Sequence, residues 1–192
     1  LYKLAELQSS ILTLHFPAKL SEVEPARRRL AFDEFFVFQL GLGLRQKSVQ
    51  ESPGITFASN VVAVEKFKAS LPFQLTAAQE KVWQEILSDM TQARPMNRLL
   101  KGDVGSGKTV IAALAALVAI KSGYQAAVMA PTEILASQHY EKLSKMLQPL
   151  KIKVGLLTAS TAQKGEKQKL DNYDLIVGTH ALIQSGVVFR KL

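Results

Sequence analysis

The stretch Gly102-Asp103-Val104-Gly105-Ser106-Gly107-Lys108-Thr109 constrains this chain more than any other. It matches the pattern G-x-x-x-x-G-K-[ST]. It follows a short apolar strand signal at Arg98-Leu99-Leu100 and precedes an unbroken apolar stretch, Val110 to Ile120. Glycines at 102, 105 and 107 accept backbone angles that a Cβ forbids. The loop's N–H groups can then turn inward and form a concave nest for phosphate oxygens. The helix expected from near Gly107 adds its positive end and its unpaired N–H groups. Lys108 supplies a point charge for the β- and γ-phosphates, and the Thr109 hydroxyl is placed to ligate a bridging Mg²⁺. By average residue usage, a chain of this length matches the pattern by chance roughly once in a hundred or more such chains. The competing reading is a glycine turn with a surface lysine. The stronger one is a nucleoside triphosphate site.

Downstream, strand and helix signals alternate. A helix is expected from about Lys108 to Ser122, a strand at Gln125–Ala130, a helix at Glu133–Leu147 and a strand at Lys153–Leu157. A helix near Ala162–Leu170 and a strand at Leu175–Gly178 complete the series. Such alternation predicts a doubly wound parallel α/β sheet with right-handed crossovers. Ligands of such sheets bind beyond the C-terminal strand ends. The phosphate loop, Pro131-Thr132 and Thr179-His180 should therefore line one edge.

Upstream, Leu4, Leu7, Ile11 and Leu14 mark a short amphipathic helix over 1–14, ended by His15-Phe16-Pro17. Ser21 and Glu24 form a capping-box pattern, with Pro25 tolerable only in a first turn. A long helix should then run to about Lys47. Its centre is apolar nearly all round (Phe32, Phe35, Phe36, Phe38, Leu40, Leu44), which predicts burial between two layers. Arg27-Arg28-Arg29 reads as a solvated first turn or an inter-domain contact before a phosphate site. Residues 48–60 read as a loop, and Val61–Val64 as a short strand or extended lead-in. The domain boundary is expected near residue 70. Thr76 and Gln79 form a second capping box, opening a helix to Met90 whose apolar stripe includes Trp83, a core residue.

Charge and composition narrow the function classes. Residues 1–70 carry nine Lys/Arg against seven Asp/Glu, whereas residues 71–192 carry fifteen against nine. The excess on the nucleotide-binding part fits a polyanionic partner, although mildly basic surfaces are common. There is no cysteine, which excludes disulfides and thiolate metal sites and suits the cytosol. His15, His139 and His180 make no metal-ligand pattern. No apolar run is long enough to cross a bilayer. The chain opens at Leu1 with no signal-peptide layout, as expected of a piece of a longer protein.

These clusters, in this order, resemble the first motor domain of a superfamily 2 helicase. The phosphate loop and the strings "LPFQLTAAQ", "MAPTEILASQHY" and "IVGTHALIQ" resemble those of the RecG family of bacterial ATP-dependent DNA helicases. The upstream "HFP" and "RRRLAFDEFFVFQLGL" resemble the segment joining that family's wedge domain to its motor. The transcription-repair coupling factor family shares "GDVG" and "GTH", but typically has an aromatic where this chain has Ser106. The resemblance implies a P-loop NTPase (RecA-like) sheet, incomplete at its C-terminal end and preceded by a helical linker. Residues 1–70 would connect to an upstream wedge, and 71–192 would begin motor domain 1. It implies ATP and Mg²⁺ as cofactors and branched DNA, forks and junctions, as partner. It also implies a cytoplasmic, nucleoid-associated parent that works in recombination and repair with a second motor domain.

By position, the resemblance implies that Phe73 and Gln79 hold adenine. An aromatic can stack on the ring, and an amide can pair with its donor and acceptor. It implies that Pro131, Thr132, Glu133, Gly178, Thr179 and His180 face DNA phosphates, where the residues alone suggest ordinary capping by Thr132 and Thr179. Lys164, Lys167 and Lys169 read as a solvated face. The family's next motif, an Asp-Glu pair that handles Mg²⁺ and the attacking water, does not follow Leu175–Gly178 in this sequence. The piece is therefore expected to bind nucleotide without turning it over. A small-molecule P-loop enzyme, or a non-catalytic nucleic-acid-binding module, are the rival readings.

Overall fold

The computed structural model describes residues 2–162 and 170–192. It divides into two compact units, one ending at Pro53 and one starting at Gly54. The first unit is a helical pair, α1 (Leu7–His15) and α2 (Leu20–Glu51). The Glu6 carboxylate opens α1 by accepting the N–H groups of Gln8 at 2.9 Å and Ser9 at 2.7 Å. Those donors have no partner inside the helix. They hold the Glu6 carboxyl below the usual range. The helix therefore starts later than residue 1, and it ends before Pro17 as the proline requires. α2 begins at Leu20 and encloses Pro25, so Pro25 is not in a first turn, and the helix continues past Lys47 to Glu51. Its apolar centre is not buried: Phe35, Phe36, Phe38, Leu40 and Leu44 are all exposed. Phe32 stacks on Phe36 one turn on, at 5.8 Å between ring centres, and meets Tyr2 near the start of the chain at 5.0 Å. Arg29 of the arginine run pairs one turn on with Asp33 at 3.1 Å.

In the second unit, α3 spans Val61–Ser70 and α4 spans Ala77–Met90. The expected strand or lead-in at Val61–Val64 is thus helical. Asn60 caps it, its side-chain oxygen accepting the Ala63 N–H at 3.4 Å. Val64 and Phe67, three residues apart, then reach the core together. Residues 54–70 therefore sit in the second unit, because α3 packs on α5 (Lys108–Lys121). α5 buries Val110, Ile111, Ala113, Leu114, Leu117 and Val118. A helix apolar on every side belongs at the centre of a layered domain. α4 supplies Trp83, which is fully buried.

The sheet contains β1 (Ala126–Met129), β2 (Val154–Leu157) and β3 (Leu175–Gly178), all parallel in the order β1-β3-β2. α6 (Glu133–Leu147) packs on it, and a short α7 (Ala159–Ala162) follows β2. Central β3 is buried along its whole length. Leu175 and Val177 face the main core beneath α5 and α6, while Ile176 joins Leu157, Leu170 and Leu182 in the second cluster. Both faces of β3 are covered, as a parallel sheet demands of its central strand, whereas Ala127 and Met129 of edge strand β1 are exposed. Two expectations shift. Residues 95–103 form no strand, and Leu99 is 78% exposed, because no neighbouring strand supplies a ladder there. Of the helix expected at 162–170, the part carrying Lys164, Lys167 and Lys169 lies outside the described residues.

One buried side chain ties down the sheet's N-terminal edge. Gln125 donates to the carbonyls of Leu170 at 2.9 Å and Tyr173 at 2.7 Å. It accepts from the N–H groups of Arg190 at 2.6 Å and Lys191 at 3.3 Å.

Candidate nucleotide-binding site

The last residues of β1, β2 and β3 are in register: Met129 pairs with Gly178, and so does Leu157. The C-terminal strand ends are thus flush. α5 runs into β1 through a short turn, so it is antiparallel to the strands and its N-terminus lies toward that flush edge. Its 14 residues span about 21 Å, longer than a four-residue strand at about 13 Å. The loop that opens α5 therefore stands at or beyond the strand ends.

Gly105 (φ 83°) and Gly107 (φ 84°) both adopt left-handed backbone, which fits the sequence expectation, whereas Gly102 does not. The Ser106 N–H closes a turn on the Asp103 carbonyl at 3.2 Å. Gly102 leaves room for the Ser106 hydroxyl, which would lie 2.5 Å from a Cβ added there. Asp103 and Val104 are exposed at the loop's apex. Lys108 folds back over the loop, its ammonium donating to the carbonyls of Gly102 at 2.6 Å and Asp103 at 2.7 Å. Thr109 follows on the first helical turn, half-buried. A cavity of about 400 Å³ opens beside the loop, lined by Thr76, Gln79, Val82, Gly102, Gly105 and Lys108 among others.

Gln79 is held at both ends of its amide. Its oxygen accepts the Thr76 N–H at 2.8 Å, completing the capping box, and its nitrogen donates to the Ser106 carbonyl at 2.9 Å. The capping and loop contacts coexist. Each uses one of the amide's two acceptor sites and two hydrogens, leaving one of each. Phe73 is half-exposed just before α4 and does not line the cavity.

Donor chemistry suits a magnesium ion carried by a nucleotide. Mg²⁺ takes few protein ligands and relies on phosphates and water. The loop carries two hydroxyls, Ser106, packed against Gly102, and Thr109 on the first helical turn, and no cluster of His, Asp and Glu that could hold a metal occurs among the described residues.

At the end of β1, the Thr132 hydroxyl accepts the Leu135 N–H at 3.3 Å, capping α6. At the end of β3, the Thr179 hydroxyl accepts the Ala181 N–H at 3.5 Å. Both are local caps with the hydroxyl hydrogen still free to donate. Pro131 and His180 are exposed beside them. Gly178 is different: it is buried, and a Cβ there would collide with the Leu157 carbonyl and crowd Leu182. Its local requirement is packing. Glu133 is also engaged, its carboxylate accepting the Ser160 N–H at 3.3 Å and hydroxyl at 3.1 Å. Sequence reasoning passed over the hydroxyls of Thr158, Ser160 and Thr161; that of Thr158 lies within hydrogen-bond reach of the other two at the end of β2. The string Thr-Ala-Ser-Thr directly after a strand was the available signal.

A family model described as DEAD/DEAH box helicase matches residues 76–192. Among curated relatives, the ATP-dependent DNA helicase RecG of Synechocystis sp. is 47% identical over all of this chain and 24% of its own length. The ATP-dependent DNA helicase RecG of Streptococcus pneumoniae is 46% identical over all of this chain and 29% of its own. A solved structure of RecG bound to a three-way DNA junction superposes with a TM-score of 0.84 at 42% identity. It covers 99% of this chain and 27% of that one. The chain thus spans about a quarter of the length of the relatives it matches.

Proposed function

Since the chain belongs to the DEAD/DEAH box helicase family and matches RecG helicases along its whole length, we propose that it is the ATP-binding stretch of a DNA motor that remodels branched DNA. Residues 71–192, with residues 54–70 packed into the same unit, would begin the first motor domain, and residues 1–53 would connect it to a strand-separating wedge. The observation that carries the reading is the shared edge: the phosphate loop lies toward the same C-terminal sheet edge as the capped turns at Thr132 and Thr179.

ATP would seat its phosphates on the loop's N–H groups and the positive end of α5, equivalent to about half an elementary charge. Entry of that anion competes for Lys108, which leaves the carbonyls of Gly102 and Asp103 for the β- and γ-phosphates. The Thr109 hydroxyl would hold a Mg²⁺ brought by the nucleotide, which would supply positive charge against the phosphates. Phe73 and the unspent donor and acceptor of Gln79 would meet the adenine. Thr132, Thr179 and the exposed Pro131 and His180 would border the DNA backbone. Glu133 and Gly178 would support that surface, the first by holding Ser160 and the second by close packing. This stretch by itself would bind ATP without sustained turnover, because orienting the attacking water takes groups beyond the phosphate loop.

The test is the ATPase rate of the longer parent protein without DNA, with linear duplex and with a model fork. Strong stimulation by the fork is expected, with a loss of about a hundredfold or more in Lys108→Ala, the scale of removing one donor to transition-state charge. A rate indifferent to every DNA sinks the motor and favours a small-molecule P-loop enzyme. Sustained hydrolysis by the 192-residue chain that is lost in Lys108→Ala overturns the claim about turnover.

A further inference from the structure

We infer that Gln79 is a positioning residue for the phosphate loop, acting through the Ser106 carbonyl and independently of the base. The inference rests on the nucleotide-site reading above and deepens it.

The Ser106–Gly107 peptide turns about ψ of Ser106 and φ of Gly107, and Gly107 is left-handed (φ 84°). Glycine tolerates either sign of φ, so this peptide is free to rotate as a unit between its neighbours. In a trans peptide the carbonyl and the next residue's N–H point in opposite directions. Gln79 binds the Ser106 carbonyl at 2.9 Å, and so aims the Gly107 N–H away from itself. Turned the other way, the peptide would present its oxygen where the Gly107 N–H now points, and an oxygen there repels phosphate. The amide is itself fixed, because its oxygen takes the Thr76 N–H at 2.8 Å. It also lies directly on Gly107, where an added Cβ would collide with the amide nitrogen. The contact spans 27 residues of chain, from the capping box of α4 to the loop that opens α5. Gln79 therefore sets the shape of the nest before any base is present.

Gln79→Glu tests this with minimal change of shape. It keeps the oxygen that accepts from Thr76 and replaces the donor to Ser106 with an acceptor. Affinities of the chain for ATP–Mg²⁺, GTP–Mg²⁺ and inorganic pyrophosphate are compared with wild type by calorimetry. All three are expected to weaken, by about tenfold in the uncharged Gln79→Met, which also lacks the donor, and by more in Gln79→Glu, whose carboxylate repels phosphate as well. Pyrophosphate decides, because it has no base. If Gln79→Met weakens ATP alone and leaves pyrophosphate unchanged, Gln79 reads adenine only and the inference fails. Amide NMR shifts of the empty chain give an independent readout. Gly105 and Gly107 should move in Gln79→Glu while Leu114 and Val118 stay in place, and unmoved glycines overturn the inference. A wild-type chain that binds none of the three ligands overturns the nucleotide-site reading instead, and the glycine shifts still decide the contact.

Discussion

Replacing Gln125 with leucine keeps nearly the same side-chain size and takes one hydrogen bond from each of four backbone groups, of which only the Leu170 carbonyl has another partner among the described residues, the Tyr173 N–H at 3.1 Å. Those are the carbonyls of Leu170 and Tyr173 and the N–H groups of Arg190 and Lys191. Gln125 itself is only 3% exposed, so water does not already share the site. At about 1 kcal/mol net for each bond, Gln125→Leu should destabilise the second unit by about 4 kcal/mol. That is a large part of the roughly 5–15 kcal/mol by which a domain is held. The assay is urea unfolding followed by fluorescence of Trp83, the chain's sole tryptophan and fully buried. The midpoint should fall with the slope unchanged. Gln125→Glu keeps the acceptor but places it against two carbonyls, and should recover none of the loss at neutral pH. A change below about 1 kcal/mol in Gln125→Leu would refute the reasoning, because it would mean that water or local shifts replace all four bonds.

Other expectations follow from single contacts. Gly178→Ala should cost about 1–3 kcal/mol or more in the same unfolding assay, since the Leu157 carbonyl and Leu182 leave no space for a methyl. A residue needed only for DNA contact would leave the melt unchanged. Lys68 on α3 bonds Glu80 on α4 at 2.6 Å, and that hydrogen bond holds the Glu80 carboxyl below its usual range. A lowered folded pKa means stability that is present at neutral pH and lost as pH falls through that folded value. The pair is partly exposed, so the loss should be about 0.5 kcal/mol. Glu80→Gln should flatten this part of the acid limb of stability against pH, and an unchanged limb would refute the assignment.

The phosphate loop, α5 and the three strands were legible from the chain itself. Gly105 and Gly107 take the left-handed angles their spacing implied, and β3 falls on Leu175–Gly178 as expected. The capping box of Thr76 and Gln79 was equally readable. These features rest on interactions within a few residues or on a repeating apolar pattern, both written along the chain. Other features needed distant partners. Leu99 and Leu100 carry a strand's composition but form no strand, because a strand exists only where another offers hydrogen bonds. Val61–Val64 is helical because Asn60 caps it and Val64 and Phe67 meet the core on one face. Composition alone gave no notice that Gln79 would reach Ser106, or that Gln125 would gather residues 170, 173, 190 and 191. The sequence by itself determined where phosphate can bind and which segments alternate. The tertiary structure decided which polar side chains hold that loop and sheet in place, because a buried amide finds its partners across the fold and leaves no periodic trace along the chain.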